Sequence, residues 1–395
     1  MRFKPDIGFF KSVTDNFNPE MLTKIITEGT TQIEVPIPDE NSSFPPSSVS
    51  VFYNPEMQLN RDISVAAIAC FVKDNPEYTY LDALSASGIR GLRIANEVGL
   101  ATTMSDWEEE SVGLIEKNII LNSLENCTAI KRNANVVMLD NSFDIIDLDP
   151  FGTPAPFLDA ACRSARKLLC VTATDTAPLC GAHKKAGIRR YGAVPLKTDY
   201  YPEMGVRILI GAIARTLARS DKAMTPLLSY ASQHYYRVFV EVKKNVVSAD
   251  ECLKQMGFVS QCFKCGEMHK EFGLAVHMDK ECPECGEKTT IAGPLWLGSL
   301  HDRDFCDCVL AECEKREFTR AVKLIRLCRD ELDIPLHYDY HKLCKSLGIS
   351  ARRTDELISV LRERGFGASR THFSGVSFKT DAPLGEIKRI VMGLD

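Results

Sequence analysis

The chain has 395 residues, 45% of them hydrophobic and 26% charged, with a formal net charge of −5. These are values of a globular protein long enough for two or three domains and a substantial core. No apolar run approaches the ~20 residues of a membrane helix, and Met1-Arg-Phe-Lys-Pro-Asp6 lacks a signal-peptide pattern, so a cytoplasmic chain without membrane contact is expected. Fifteen cysteines in that compartment argue for reduced thiols and metal rather than a disulfide framework.

Residues 1–60 read as an extended, turn-rich lead-in, with a strand at Thr31-Gln-Ile-Glu-Val-Pro-Ile37 and a loop holding Pro36, Pro38, Pro45 and Pro46. Val51 to Asp62 leads into a helix over 63–73, and its aromatic pair and arginine either line a pocket or pack locally. From Tyr78 the rhythm becomes strand, glycine turn, helix. Strands are expected at 78–84, 101–104, 128–131, 143–149 and 168–172, with helices from 92, over 108–122 and over 156–167. Such alternation predicts a parallel sheet with right-handed crossovers.

The strand Phe143-Asp-Ile-Ile-Asp-Leu-Asp-Pro-Phe-Gly152 sets Ile145, Ile146 and Leu148 against Asp144, Asp147 and Asp149 before a Pro-Phe-Gly stop. It delivers a carboxylate to the sheet edge where α/β folds bind ligands. Asp149 there can accept hydrogens from an exocyclic amine while Phe151 stacks on its ring; the simpler alternative is a strand end followed by a proline turn. Ser85-Ala-Ser-Gly-Ile-Arg-Gly91 lets a ligand approach the backbone, and Asp106 follows Gly88 by 18 residues, where nucleotide-binding sheets hold ribose hydroxyls. Asn133 or the Ala134 amide would then meet an adenine edge. The turn lacks G-x-G-x-x-G, so an adenosine cofactor without a pyrophosphate fits better than a dinucleotide. Asp106 also suits a helix N-cap.

Residues 172–200 read as a long loop on the same rim, followed by a helix near 202–220 and strands near 227–230 and 236–242. Charge is segregated: net −11 over 1–180, but +8 over 181–245. Lys184, Lys185, Arg189, Arg190 and Lys197, with Tyr191, Tyr200 and Tyr201 among them, form a basic cluster that either binds phosphates or is a solvated loop. Cys262-Phe-Lys-Cys265-Gly and Cys282-Pro-Glu-Cys285-Gly, 16 residues apart, have the spacing of a closed four-thiolate zinc site, which folds a module and does not catalyse. Cys306, Cys308 and Cys313 read as packing residues. Helices over 334–347 and 351–364 and a hairpin over 368–379 read as a winged helix, a module serving RNA or protein contacts.

Val51-Phe-Tyr-Asn-Pro with Asn60-Arg-Asp62, Asp82 to Arg93, Ser105-Asp106, Asp147 to Gly152, His234-Tyr-Tyr-Arg-Val and Gly293-Pro-Leu-Trp296, in this order, resemble the tRNA guanine-26 N2-dimethyltransferase family over essentially the full chain. The resemblance implies a class I S-adenosylmethionine-dependent α/β fold of Rossmann-like sheet type over 1–245. It also implies a C-terminal tRNA-binding region over 246–395, with zinc knuckles at 262–285 and the winged-helix-like part at 330–395. Carried over, Arg61 and Arg90 would hold the cofactor's methionine end, Asp106 its ribose, and Asn133 with Ala134 its adenine. The family often has aspartate at the position of Asn133, whose amide oxygen can still accept from the adenine amine. Asp149 would engage the guanine amine, with Phe52, Pro150 and Phe151 shaping the base pocket. A monomer acting on tRNA, with structural zinc, is expected. The competing readings are another RNA amino-methyltransferase acting on adenine or ribosomal RNA, a zinc-ribbon and winged-helix regulator without turnover, and a nicotinamide-dependent oxidoreductase.

Overall fold

The computed structural model describes residues 22–37 and 51–393; most of the proline-rich loop expected after Pro36, with Pro38, Pro45 and Pro46, lies outside them. In chain order, the first half holds β1 (Thr23–Glu28), β2 (Thr31–Pro36), α1 (Gln58–Phe71), β3 (Thr79–Asp82), α2 (Ile89–Glu97), β4 (Ala101–Asp106), α3 (Glu109–Leu121), β5 (Cys127–Lys131), α4 (Ala134–Asp140), β6 (Ile145–Leu148), α5 (Leu158–Ser164), β7 (Leu168–Ala173), α6 (Thr176–Leu179), α7 (Lys184–Tyr191), α8 (Tyr201–Ala218), β8 (Lys222–Ser232) and β9 (Tyr235–Lys244). The second half holds α9 (Val246–Leu253), β10 (Met256–Gln261), β11 (Met268–Phe272), β12 (Thr290–Trp296), α10 (Arg303–Lys315), α11 (Thr319–Asp330), β13 (Tyr338–Asp339), α12 (Tyr340–Ser346), α13 (Thr354–Glu363), β14 (Ala368–Thr371), β15 (Ser374–Thr380) and α14 (Leu384–Met392).

A seven-stranded mixed sheet has the order β5-β4-β3-β6-β7-β9-β8. The first five strands are parallel, and β9 runs antiparallel between β7 and β8. Successive strands step outward from β3 to β5, and the chain then returns to the other side of β3 with β6. This reversal opens a crevice at the carboxyl ends of β3 and β6. Strands β6 and β7 are buried at every position, as befits parallel strands covered on both faces. One covering layer centres on α1, α10 and α11, through Ile63, Ile68, Val309 and Ile325. The other is built by α4, α5 and α8, with Ile208, Ile213 and Leu217 against the sheet.

Sequence and structure differ in places. Residues 172–200 are not a continuous loop, since α6 and α7 form within them, and α4 was not expected at all. Both α4 and α6 have only one or two turns, too short for a periodic signature. The helix expected over 334–347 begins only at Tyr340, because Tyr338 and Asp339 pair with β15. Cys306 and Cys313 are fully buried packing residues, but Cys308 forms a disulfide with Cys70, their Cα atoms 6.0 Å apart. That pairing joins α1 to α10 across 238 residues of chain, a proximity invisible in one dimension.

The C-terminal elements form two further sheets, β11-β10-β12 and β13-β15-β14. Helices α12, α13 and α14 pack on the second through Leu357, Leu361, Phe378 and Ile387. Buried charges fasten it to α8. Glu203 accepts from Arg207, the Leu336 amide and His337, each at 2.8 Å. Lys379 lies 3.2 Å from Glu203 and 2.7 Å from Glu331, which also meets His372. Burial pushes both carboxyls up, but Lys379 and its neighbours outweigh it and hold both well below the usual range.

Removing Lys379 would leave two buried carboxylates without their shared cation. Lys379→Met is therefore expected to lower the unfolding free energy by ~3–5 kcal/mol in a urea titration. Because the folded pKa values of Glu203 and Glu331 are depressed, their contribution is present above the ordinary value of 4.5 and is lost as pH falls below it. Wild-type stability in the variant would show that the pair is solvated.

Candidate active site

A cavity of about 760 Å³ opens at the crevice between β3 and β6. Its floor and walls come from four strand ends. Asp82 ends β3 and is followed by the turn Ser85–Ser87, Asp106 ends β4, Asp149 to Phe151 follow β6, and Thr174 follows β7. The β8–β9 hairpin adds Gln233, His234 and Tyr235, and the segment before α1 adds Phe52, Tyr53 and Arg61.

The turn after β3 depends on left-handed backbone at Ala86 (φ 48°) and Gly88 (φ 81°). A Cβ on Gly88 would lie 2.9 Å from Ile115, so the turn packs tightly onto α3. Asp106 braces it: one carboxylate oxygen accepts from the Ala86 amide at 2.8 Å and the other from Glu108 at 3.0 Å. Thus Asp106 both reaches the cavity and organises the start of α3.

Below the cavity lies a buried chain of charges. Asp147, with no exposed surface, accepts from both terminal nitrogens of Arg237 at 2.7 and 2.6 Å and from the Tyr80 hydroxyl at 3.0 Å. Burial raises its pKa, yet Arg237 and Arg90 prevail and hold it below the usual carboxylate range. Arg90 lies 3.7 Å from Asp147 and makes a short contact with Asp149. Its other bonds go to Ser64 and Asn60, both at 2.9 Å. Ser64 also accepts from Arg237 at 2.9 Å. Asp82, near this cluster, accepts from the Gly91 amide at 3.1 Å; burial pushes its carboxyl up to about 7, with Arg90 opposing and Asp147 and Asp149 reinforcing the shift.

Among the described residues Asp149 is paired through Oδ2 only, and its side chain is 20% exposed. Phe151 is 62% exposed, and its ring meets Phe52 edge-on at 4.4 Å between centroids. The two rings and Pro150 make an apolar margin beside a carboxylate, a setting suited to a flat base bearing an amine. Gly152 fixes the loop by donating to Thr174 at 2.7 Å.

Of the residues singled out from the sequence, Phe52, Arg61, Arg90, Asp106, Asp149, Pro150 and Phe151 line this one cavity. Arg61 is neutralised by Glu28 at 2.6 and 2.8 Å and bonds the Asn54 carbonyl. Asn133 and Ala134 stand at the end of β5, outside the lining. The Asn133 side chain caps α4 by accepting from Asn135 at 3.0 Å. Sequence reasoning passed over Asp82, Trp107 and Gln233. Asp82 closes β3, but the strand expected over 78–84 put it inside the strand rather than at its end; Gln233 depends on a hairpin folding over the rim and had no local signal. The four zinc-spaced cysteines do converge: Cys262 and Cys285 sulfurs lie 3.6 Å apart, and Cys265 and Cys282 3.5 Å. Each knuckle repeats the same bonds, with Gly266 and Gly286 amides donating to the Cys262 and Cys282 carbonyls at 3.0 and 2.8 Å.

Known proteins share the fold and much of the sequence. The profile of the N2,N2-dimethylguanosine tRNA methyltransferase family matches residues 29–392. A tRNA (guanine(26)-N(2))-dimethyltransferase of Methanosarcina mazei is 55% identical over 386 residues, covering 95% of this chain and all of that one. Its counterpart from Methanosphaerula palustris is 45% identical over 92% of this chain and 97% of its own. The structure of Trm1 from Pyrococcus horikoshii with S-adenosyl-L-methionine superposes with a TM-score of 0.82 at 38% identity, covering 92% of this chain and 98% of that one. With its mixed seven-stranded sheet and near full-length similarity, the chain belongs to the N2,N2-dimethylguanosine tRNA methyltransferase family.

Proposed function

We propose that this chain methylates the exocyclic N2 amine of guanine 26 in tRNA, twice in succession, using S-adenosyl-L-methionine. The observation that carries this is the meeting in one cavity of Asp149, Pro150, Phe151 and Phe52 with the Ser85–Gly91 turn and Asp106. The cavity fits such a cofactor. Its turn brings backbone close, Arg90 supplies a cation for a carboxylate, and the buried Asn60 amide nitrogen beside Arg90 has no acceptor among the described residues. When bound, the cofactor supplies an electrophilic methyl group on a positively charged sulfur.

Arg90 and Arg61 are assigned to its carboxylate end and Asp106 to its ribose. Asn133 and Ala134 are assigned to its adenine; because the Asn133 side chain is engaged in capping, backbone groups would make that contact. The base, reached only after eversion from folded RNA, would stack on Phe151, with Phe52 and Pro150 limiting its tilt. Asp149 would accept the amine hydrogens through the oxygen that Arg90 leaves available. These bonds strengthen as the nitrogen becomes cationic, and the carboxylate can then take the proton. Positioning and exclusion of water carry most of the acceleration in such a displacement.

We further propose a division of labour, with 1–245 catalytic and 246–395 contacting tRNA, in a monomer working in the cytoplasm. Among the described residues no helix is long and apolar enough to cross a membrane. Four thiolates around a tetrahedral zinc lie about 3.8 Å apart, close to the separations of the knuckles, so Cys262, Cys265, Cys282 and Cys285 are assigned a structural zinc.

Three measurements test this reading. Asp149→Asn should cut the rate of methyl transfer to unmodified tRNA by ~10²–10⁴ while calorimetric cofactor affinity stays within about threefold; retained turnover removes Asp149 from its role. Asp82 has a folded pKa of about 7 against an ordinary 3.8, so it is protonated in the free protein below neutrality. A cationic ligand favours the carboxylate, so cofactor affinity should rise with pH up to about 7 and then level off, and Asp82→Asn should flatten the profile. Cys282→Ser should abolish zinc detected by native mass spectrometry and lower the melting temperature; a metal-free wild type would contradict the zinc assignment.

A further inference from the structure

Helix α7 carries charge in a way that folding alone disfavours. Its first two residues are Lys184 and Lys185, with no acidic residue in that turn, so two cations sit at the positive end of the helix dipole. Lys185 and Arg189 are four residues apart on one face, where like charges repel. All three side chains are exposed, and none pairs with a carboxylate among the described residues. Lys197 joins them, since Gly181, just ahead of the helix, lies against the backbone of Leu196 and Lys197. By contrast, the neighbouring Arg190 is engaged with Asp175 at 3.0 Å.

The helix is also tied to the loop that presents the carboxylate. Tyr191, its buried last residue, bonds Asp175 at 2.5 Å and Thr153 at 3.0 Å, two positions beyond Phe151. At 1.5 Å per residue the whole helix spans about 12 Å, so the backbone of these residues stands within one helix length of Tyr191, whose hydroxyl meets that loop. We infer that α7 is a phosphate-docking surface for the RNA strand flanking the target nucleotide, with Lys184, Lys185 and Arg189 taking backbone phosphates and Tyr191 relating that grip to the catalytic loop. This rests on the tRNA reading above and names the surface that meets the substrate.

The test is binding of full-length protein to a tRNA transcript across a salt series. K184E/K185E/R189E should weaken binding by more than about tenfold near 0.15 M salt and reduce the slope of log affinity against log salt by about 2. Its cofactor affinity should match wild type, and the melting temperature of K184E/K185E alone should hold or rise, because those two substitutions place acidic groups at the positive end of the helix dipole. K243E/K244E, at the end of β9 remote from the cavity, should keep the wild-type slope. An unchanged slope in the triple variant, an equal loss in the β9 variant, or a lowered melting temperature in K184E/K185E would each overturn the assignment to α7. A wild-type protein that neither binds nor methylates tRNA would instead overturn the function on which it rests.

Discussion

The position of the proposed catalytic carboxylate depends on a buried ion cluster one layer below it. Asp147 sits in a central strand with no access to water and exists as a carboxylate only because Arg237 grips it from β9 and Arg90 stands above it. Arg90 then reaches Asp149, so the aspartate inside the sheet fixes the cation that orients the aspartate on its rim. Ser64 of α1 ties the two arginines together. Burying such charges is costly unless each is matched, and here the match draws on α1, α2, β3, β6 and β9 at once. The rim of the sheet is therefore an outcome of the whole fold rather than of one loop.

A second buried cluster performs the corresponding task between the sheet and the C-terminal elements. Glu203 of α8, Glu331 and Lys379 of β15 bring groups separated by more than a hundred residues into one ion-paired set. With α10 and α11 packed in the same apolar layer as α1, the C-terminal half is continuous with the core of the first. Charge-matched packing of this kind fixes the distance between the C-terminal elements and the sheet.

Much of the first half was legible in the sequence because parallel strands covered on both faces are apolar runs stopped by glycine or proline. That pattern located β3, β4, β6 and β7, and the carboxyl-end rule then selected Asp106 and Asp149. It did not reveal where Asp147 points. Alternation grouped it with Asp144 and Asp149, whereas the structure turns it inward to Arg237. The short helices α4 and α6 lacked the length for a period to emerge, and α7 was hidden in a segment whose composition suited a loop.

The sequence by itself determined the order of strand ends, the thiolate pairs with zinc spacing, and the residue types at the rim, because these are local patterns with local physical causes. Only the tertiary structure decided that Arg90 serves Asp149, that Asn133 caps a helix, that Arg61 is already neutralised by Glu28, and that Cys70 meets Cys308. Each of these is a choice among partners far apart in the chain. Such choices are settled by which charges and sulfurs packing brings within reach, and no spacing along the chain records that.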